Sequence, residues 1–164
     1  MLRQGRLILF TALALLMGCS ALVPTAPGPQ KDKHLRITYK HPEWDEVDPR
    51  QSDRAWSHHR RGDVMLANSF CGEFQSLPLE ALARQTFESY GGYIPLGKRT
   101  LEWQGREAFE MEIQANVDGV GVLIYLRNYR RDHCYYDFLL ITPRERNRDS
   151  LAAFEAMLKT VRFR

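Results

Sequence analysis

The sequence has no apolar run long enough to cross a bilayer. Its N-terminal apolar stretch, Leu7 to Met17, covers about eleven residues, and a membrane-crossing helix needs about twenty. Net charge is small. The chain carries 23 basic and 20 acidic side chains, a formal charge of +3, which argues against a dedicated nucleic-acid binder, where a strongly basic balance is expected. Catalytic signatures are missing: there is no Gly-x-Ser-x-Gly, no phosphate-binding loop and no His-Glu-x-x-His. Asp118-Gly119-x-Gly121 does not open a helix, so it lacks the geometry that holds a pyrophosphate. His58-His59 is the most metal-like pair, but neighbours in a strand point to opposite faces and cannot chelate one ion together. His34, His41 and His133 have no ligand spacing. Ser69 near Cys71, with His59 across a proposed hairpin, has no evident acid partner. No catalytic residue, metal site or cofactor is therefore expected.

What is present begins with that N-terminal stretch. Arg3 and Arg6 precede the apolar run, and Leu16-Met17-Gly18-Cys19 closes it. The run is too short to span but fits the core of an export signal. The four closing residues resemble the bacterial lipobox, with Met17 a less common choice at its position. The resemblance implies a diacylglyceryl thioether on Cys19, cleavage after Gly18, and N-acylation of the new terminus. Three acyl chains anchor firmly, because each buried methylene adds about 0.8 kcal/mol. Ser20 after the lipidated cysteine resembles outer-membrane cargo, so the expected location is the outer membrane, facing the periplasm. Residues 1–18 are read as the signal, 19–33 as a tether rich in proline (Pro24, Pro27, Pro29), and 34–164 as one globular domain.

Without the signal, 21 basic and 20 acidic side chains remain, a charge of +1. Clusters at Arg127, Arg130, Arg131 and at Arg144, Arg146, Arg148 read as solvated faces. With Cys19 assigned to lipid, two of the three cysteines are left. An even pair in an exported domain reads as a disulfide, Cys71 to Cys134, rather than as two free thiols.

Within the domain, Phe109, Met111, Ile113, Ala115 and Val117 alternate with polar residues, the period of a half-buried strand. Asp118-Gly119 supplies a tight turn, and Val120, Val122, Ile124 and Leu126 continue the next strand. A turn over Arg130–Asp132 leads to Cys134, Tyr136, Phe138 and Leu140. Upstream, Gln104-Gly105 joins Arg99–Trp103 to Arg106. The result is a four-stranded antiparallel meander. Leu79, Leu82, Ala83, Thr86, Phe87 and Tyr90 mark one helix, and Leu151, Phe154, Leu158 and Val161 a second, with Asp149 or Ser150 as its N-cap. Leu35–Tyr39 reads as a strand, residues 41–54 as a loop, and Trp56–Arg60 with Val64–Ser69 as a hairpin. The expected class is α+β, a two-layer sandwich in which two helices cover one face of an antiparallel sheet.

That element order, with the closing Phe154-x-x-Met157-x-x-x-Val161-x-Phe163 run, resembles the PsbP family of extrinsic photosystem proteins and their bacterial relatives. Ala55-Trp56, Gly62, Asn68-Ser69-Phe70-Cys71 and Cys134-Tyr135-Tyr136-Asp137-Phe138 resemble a group of lipoproteins from Gram-negative, delta-type bacteria. Neither likeness carries catalytic residues onto this chain. A non-enzymatic accessory module of an envelope protein assembly is the first expectation. A carrier of a small ligand or lipid, using a pocket between sheet and helices, is the alternative. The expected partners are the bilayer, through Cys19, and an envelope protein complex. Tyr125, Arg127 and Tyr135 lie opposite the main apolar sets of their strands, so one open sheet face bearing all three is the expected partner-binding surface.

Overall fold

The computed structural model describes residues 30–72, 77–88, 90, 92–143 and 148–164. Cys19, the expected export signal, the expected tether up to residue 29, and Arg144 and Arg146 lie outside them. Strand β1 (Leu35–Arg36) is followed by β2 (Trp44–Val47), β3 (Arg54–His58), β4 (Val64–Cys71), helix α1 (Leu79–Glu88), β5 (Tyr93–Trp103), β6 (Arg106–Val117), β7 (Val120–Arg131), β8 (Cys134–Pro143), helix α2 (Arg148–Lys159) and β9 (Arg162–Phe163). No described helix is long and apolar enough to cross a membrane.

Seven strands form one antiparallel sheet in the order β2-β3-β4-β8-β7-β6-β5. The expected meander is there as β5 to β8, each strand pairing with the next. Its turns use residues that accept positive φ: Gln104 and Gly105 at 50° and 76°, Asp118 and Gly119 at 51° and 84°. The β7–β8 turn sits at Asp132 (φ 55°), because β7 runs on to Arg131. The sheet then continues beyond the meander. Residues 41–54, expected as a loop, contain β2, which pairs with β3 from Trp44↔His58 to Val47↔Ala55. Only Trp44 of β2 is buried, so the apolar alternation that identifies a strand is missing there. The strand expected over Leu35–Tyr39 is shorter, Leu35–Arg36, and pairs with β9 in a separate two-stranded ribbon. Helix α2 starts at Arg148, which puts Asp149 and Ser150 inside its first turn. The Ser150 hydroxyl donates to the buried Asp63 carboxylate instead of capping the helix.

The layering differs from a two-layer sandwich. Helix α1 packs Leu79, Leu82, Ala83 and Phe87 against Phe109, Met111, Ile113, Ile124, Leu126 and Leu139. Helix α2 packs Phe154, Met157 and Leu158 in a second cluster with Met65, Tyr129, Tyr136, Phe138 and Leu140. Residues 138 and 139 of one strand point to opposite faces, so the helices lie on opposite sides of the sheet. Each fully buried aliphatic or aromatic side chain contributes roughly 1.5–3 kcal/mol relative to exposure, and both clusters are large enough to need a helix. The class remains α+β, in three layers.

Cys71 and Cys134 are bridged, with Cα atoms 4.1 Å apart. They face each other directly across β4 and β8. The amide and carbonyl of Cys71 bond to Gln30 on the other side, so this is the closer, non-hydrogen-bonded type of antiparallel pair, where side chains lie nearest. The bridge closes a separation of 63 residues, worth about 4 kcal/mol in the chain-entropy account. Replacing both cysteines with serine should lower the unfolding free energy by that order, read as a shift of the denaturant midpoint. Coincident denaturation curves for the two chains would contradict it.

Candidate functional site

Because α2 lies along β8, β7 and the ribbon, it leaves the outer part of its own sheet face bare. Strand β5 is the sheet edge, and Ile94 to Thr100 are all exposed. The space between α2 and this edge is a groove of about 600 Å³. Gly97, Lys98 and Arg99 of β5, Glu110 and Glu112 of β6, and Tyr125 of β7 form its floor. Leu151, Phe154 and Glu155 of α2 form its wall. The sheet skips register between Pro95 and Gly97, and a side chain built at Gly97 would meet nothing within 4 Å. The edge strand thus opens the groove at that point.

The inner end of the groove is an ion-pair chain. Arg127 donates from Nε to Glu110 Oε1 at 2.7 Å and from Nη2 to Glu155 Oε1 at 2.8 Å, and its guanidinium lies 5.6 Å from the Trp103 ring centre. Arg99 also bonds Glu110. Burial pushes the Glu110 carboxyl up, but the Arg99 and Arg127 guanidiniums outweigh it and hold Glu110 below the ordinary carboxylate range. Arg127 is only 4% exposed. Such a group is costly to leave unpaired, because removing one partner strands the other charge out of water. Glu155 therefore ties α2 to the sheet through Arg127.

The three residues expected on one open face do not share it. Tyr125 pairs with Glu112 and Arg127 with Glu110, on the α2 side. Tyr135 pairs with Phe70 and Arg130, on the α1 side, and is buried. The expected surface reduces to Tyr125 on the groove floor, with Arg127 buried behind it. The reason is that β8 is apolar on both faces. Its larger set (Cys134, Tyr136, Phe138, Leu140) faces α2, whereas the set of β7 (Val122, Ile124, Leu126) faces α1. The groove residues Glu110, Glu112, Arg99, Leu151 and Phe154 were read only as strand polarity or helix packing. The signal that could have found them is the two-residue turn at Asp118-Gly119, whose register alone places Glu110 beside Arg127 and Glu112 beside Tyr125.

Other candidates separate. His58 is buried against Trp44, with ring centroids 5.3 Å apart, and His59 is exposed and pairs with Asp45 at 2.9 Å. Ser69 is fully buried and its Oγ accepts from the Asp32 amide at 2.7 Å, away from either histidine. Asp32 lies within reach of Cys71 and Cys134, but bridged sulfurs carry no thiolate for a metal, and the Asp32 carboxylate accepts from the Tyr136 hydroxyl at 2.7 Å.

Under α1, Asp137 is buried among the Thr86 hydroxyl (3.0 Å), the Asn128 amide and Tyr135. Burial pushes its carboxyl up to about 6, against the pull of those three groups and of Lys31. A carboxyl whose folded pKa is raised is unfavourable when ionised. Its cost is present above the folded value and is relieved as pH falls through it. Stability should therefore rise between pH 7 and pH 5 by an amount on the order of 1–2 kcal/mol, and Asp137→Asn should flatten that rise in pH-resolved denaturation curves. An unchanged rise in the variant would assign it to another group.

No family model matches the sequence, and no curated protein matches it. Solved structures do share the fold. Cyanobacterial PsbP (CyanoP) from Synechocystis sp. PCC 6803 superposes with a TM-score of 0.57 at 9% identity, over 89% of this chain and 99% of that one. LpqN of Mycobacterium tuberculosis, described as involved in cell envelope biogenesis, gives 0.57 at 8% identity, over 84% and 86%. A Bacteroides thetaiotaomicron protein gives 0.55 at 10% identity, over 80% of this chain and 45% of its own. The fold is PsbP-like. At these identities the likeness carries architecture and no residue roles.

Proposed function

We propose that this chain is a lipid-anchored, non-enzymatic binding module of the cell envelope. Its working site is the groove between α2 and strands β5 to β7. The observation that carries the reading is the conjunction of that groove with an open edge strand. An exposed edge offers unpaired backbone groups to a partner strand, and the adjoining Tyr125, Leu151 and Phe154 supply apolar contact. A segment of an envelope protein assembly docked along β5 would use both. The envelope setting is supported by the lipobox-like Leu16-Met17-Gly18-Cys19 and by the disulfide, which belongs to an oxidising compartment. The association of LpqN with envelope biogenesis supports the same setting by analogy of fold. Ser20 favours the outer membrane.

A second reading, a carrier of a small ligand or lipid, is favoured by the groove volume of about 600 Å³, which falls within the usual range for small-molecule sites. One experiment separates the two. A photo-cross-linking residue at position 97, where there is open space, should give a discrete protein adduct in intact cells. Leu151→Arg, which places a charge in the wall, should abolish the adduct. Adducts confined to lipid or small molecules would favour the carrier. Adducts unaffected by Leu151→Arg would place the partner elsewhere. In the same cells Cys19→Ala should release the protein from the membrane fraction, and unchanged sedimentation would remove the anchor.

A further inference from the structure

The ribbon formed by β1 and β9 carries an unusual pair. Its inward side chains, Leu35 and Phe163, pack into the α2-side core beside Trp103, Tyr129 and Tyr136. Its outward side chains include Arg36 directly opposite Arg162. The Arg164 amide bonds the His34 carbonyl, which extends the ladder one step and puts His34 and Arg164 on the same outward side. All four are exposed, and Lys33 and Lys159 flank them. Like charges placed directly opposite each other weaken a strand pair, so this arrangement opposes folding.

Elsewhere in the domain, cations are mostly neutralised. Lys31 pairs with Asp53, Arg54 with Glu46, Arg61 with Asp63, Arg84 and Lys98 with Glu80, and Arg106 with Asp132. On the ribbon, among the described residues, the guanidiniums of Arg36 and Arg162 bond only backbone carbonyls, those of Lys33, Leu35, Lys159 and Val161. No described carboxylate pairs with Lys33, Arg36, Lys159, Arg162 or Arg164.

The place of this patch gives it an occupant. The chain enters the domain beside it: Gln30 bridges to Cys71, Asp32 bonds Tyr136, and β1 follows. Lys33 is fourteen residues after Cys19, so a lipid on Cys19 would keep the ribbon within about 50 Å of the bilayer even with the tether fully extended. Tethering at that range raises the effective concentration of the surface for the patch. We propose that the outward face of the β1–β9 ribbon docks on anionic phospholipid headgroups of the membrane that holds the anchor. Contact there would orient the domain with this end down and turn the far end of the sheet, at Arg60 and the start of α2, away from the bilayer. The tether argument rests on lipidation at Cys19, whereas the charge argument does not.

The test therefore uses the chain from residue 19 onward with Cys19→Ser, which has no lipid. It should co-sediment with vesicles containing about 30 mol% phosphatidylglycerol in phosphatidylcholine, and not with phosphatidylcholine alone. A basic side chain near such a surface is worth roughly fivefold in affinity, so Arg36→Glu with Arg162→Glu should weaken binding by at least about 25-fold. Arg60→Glu with Arg148→Glu makes the same charge change at the far end and should leave most of the binding intact. The milder Arg36→Gln with Arg162→Gln should fall between, and equal melting temperatures would show that each variant is folded. Equal losses from both Glu pairs would reduce the effect to net charge and overturn the proposal. So would no binding of the parent chain to the anionic vesicles, or binding to soluble polyglutamate in place of vesicles, which would point to an acidic protein partner. Failure of lipidation in cells would leave the vesicle result standing.

Discussion

Strand β8 is buried on both faces, and the rest of the architecture follows from that. It lies at the centre of the seven-stranded sheet, sends Tyr136, Phe138 and Leu140 to one side, and Tyr135 and Leu139 to the other. A strand with two apolar faces must be covered twice, or a large apolar surface stays in water. The chain supplies α1 for one side and α2 for the other. Each helix is too short to cover seven strands, so the sheet is left partly bare. On the α2 side the bare part adjoins the edge strand β5, and the groove is the result.

The groove combines apolar contact with charge that the protein itself neutralises. Glu110 is shared between Arg99 and Arg127, and Glu155 reaches the same Arg127 from α2. The chain of charges spans edge strand, central strands and helix, so the groove floor and its wall are linked by a strong, oriented contact. The opposite face handles its polar residues differently. Asp137 sits under α1, and burial there, against the pull of its neutral hydrogen-bonding partners, leaves its carboxyl weakly acidic. The two faces thus differ in kind: one holds compensated charge next to solvent, the other a polar cluster sealed beneath a helix. Of these two polar clusters, the first lines the groove.

The surface charge has a similar division. Across most of the domain cations and carboxylates are matched, in keeping with the small net charge of the sequence. The β1–β9 ribbon departs from that pattern at the end where Gln30 and Asp32 lead into the domain. With the ribbon docked as proposed, the domain would have a membrane-proximal end and a distal end, and the groove would run along the side between them. Docking through the ribbon would leave the groove accessible to a partner approaching parallel to the bilayer.

Much of this was legible in the sequence for clear reasons. The alternation around Met111, the turn glycines at 105 and 119, and the helix stripes at Leu82 and Phe154 are local, and they produced the meander and both helices, although α1 ends at Glu88, short of the expected Tyr90, and α2 at Lys159, short of the expected Val161. The cysteine pair was legible by count. Strand β2 was not, because an edge strand with one buried residue has no periodic signal. Which face each strand presents was not legible either, and Tyr135 shows why. Alternation tells which side chains of one strand share a side, but only the register across each turn relates that side to the next strand. In β8 both sets are apolar, so the pattern gives no preference. Tertiary packing decided it, by placing α1 and α2 on opposite faces, and with that choice decided that Tyr125 opens to the groove while Tyr135 is buried.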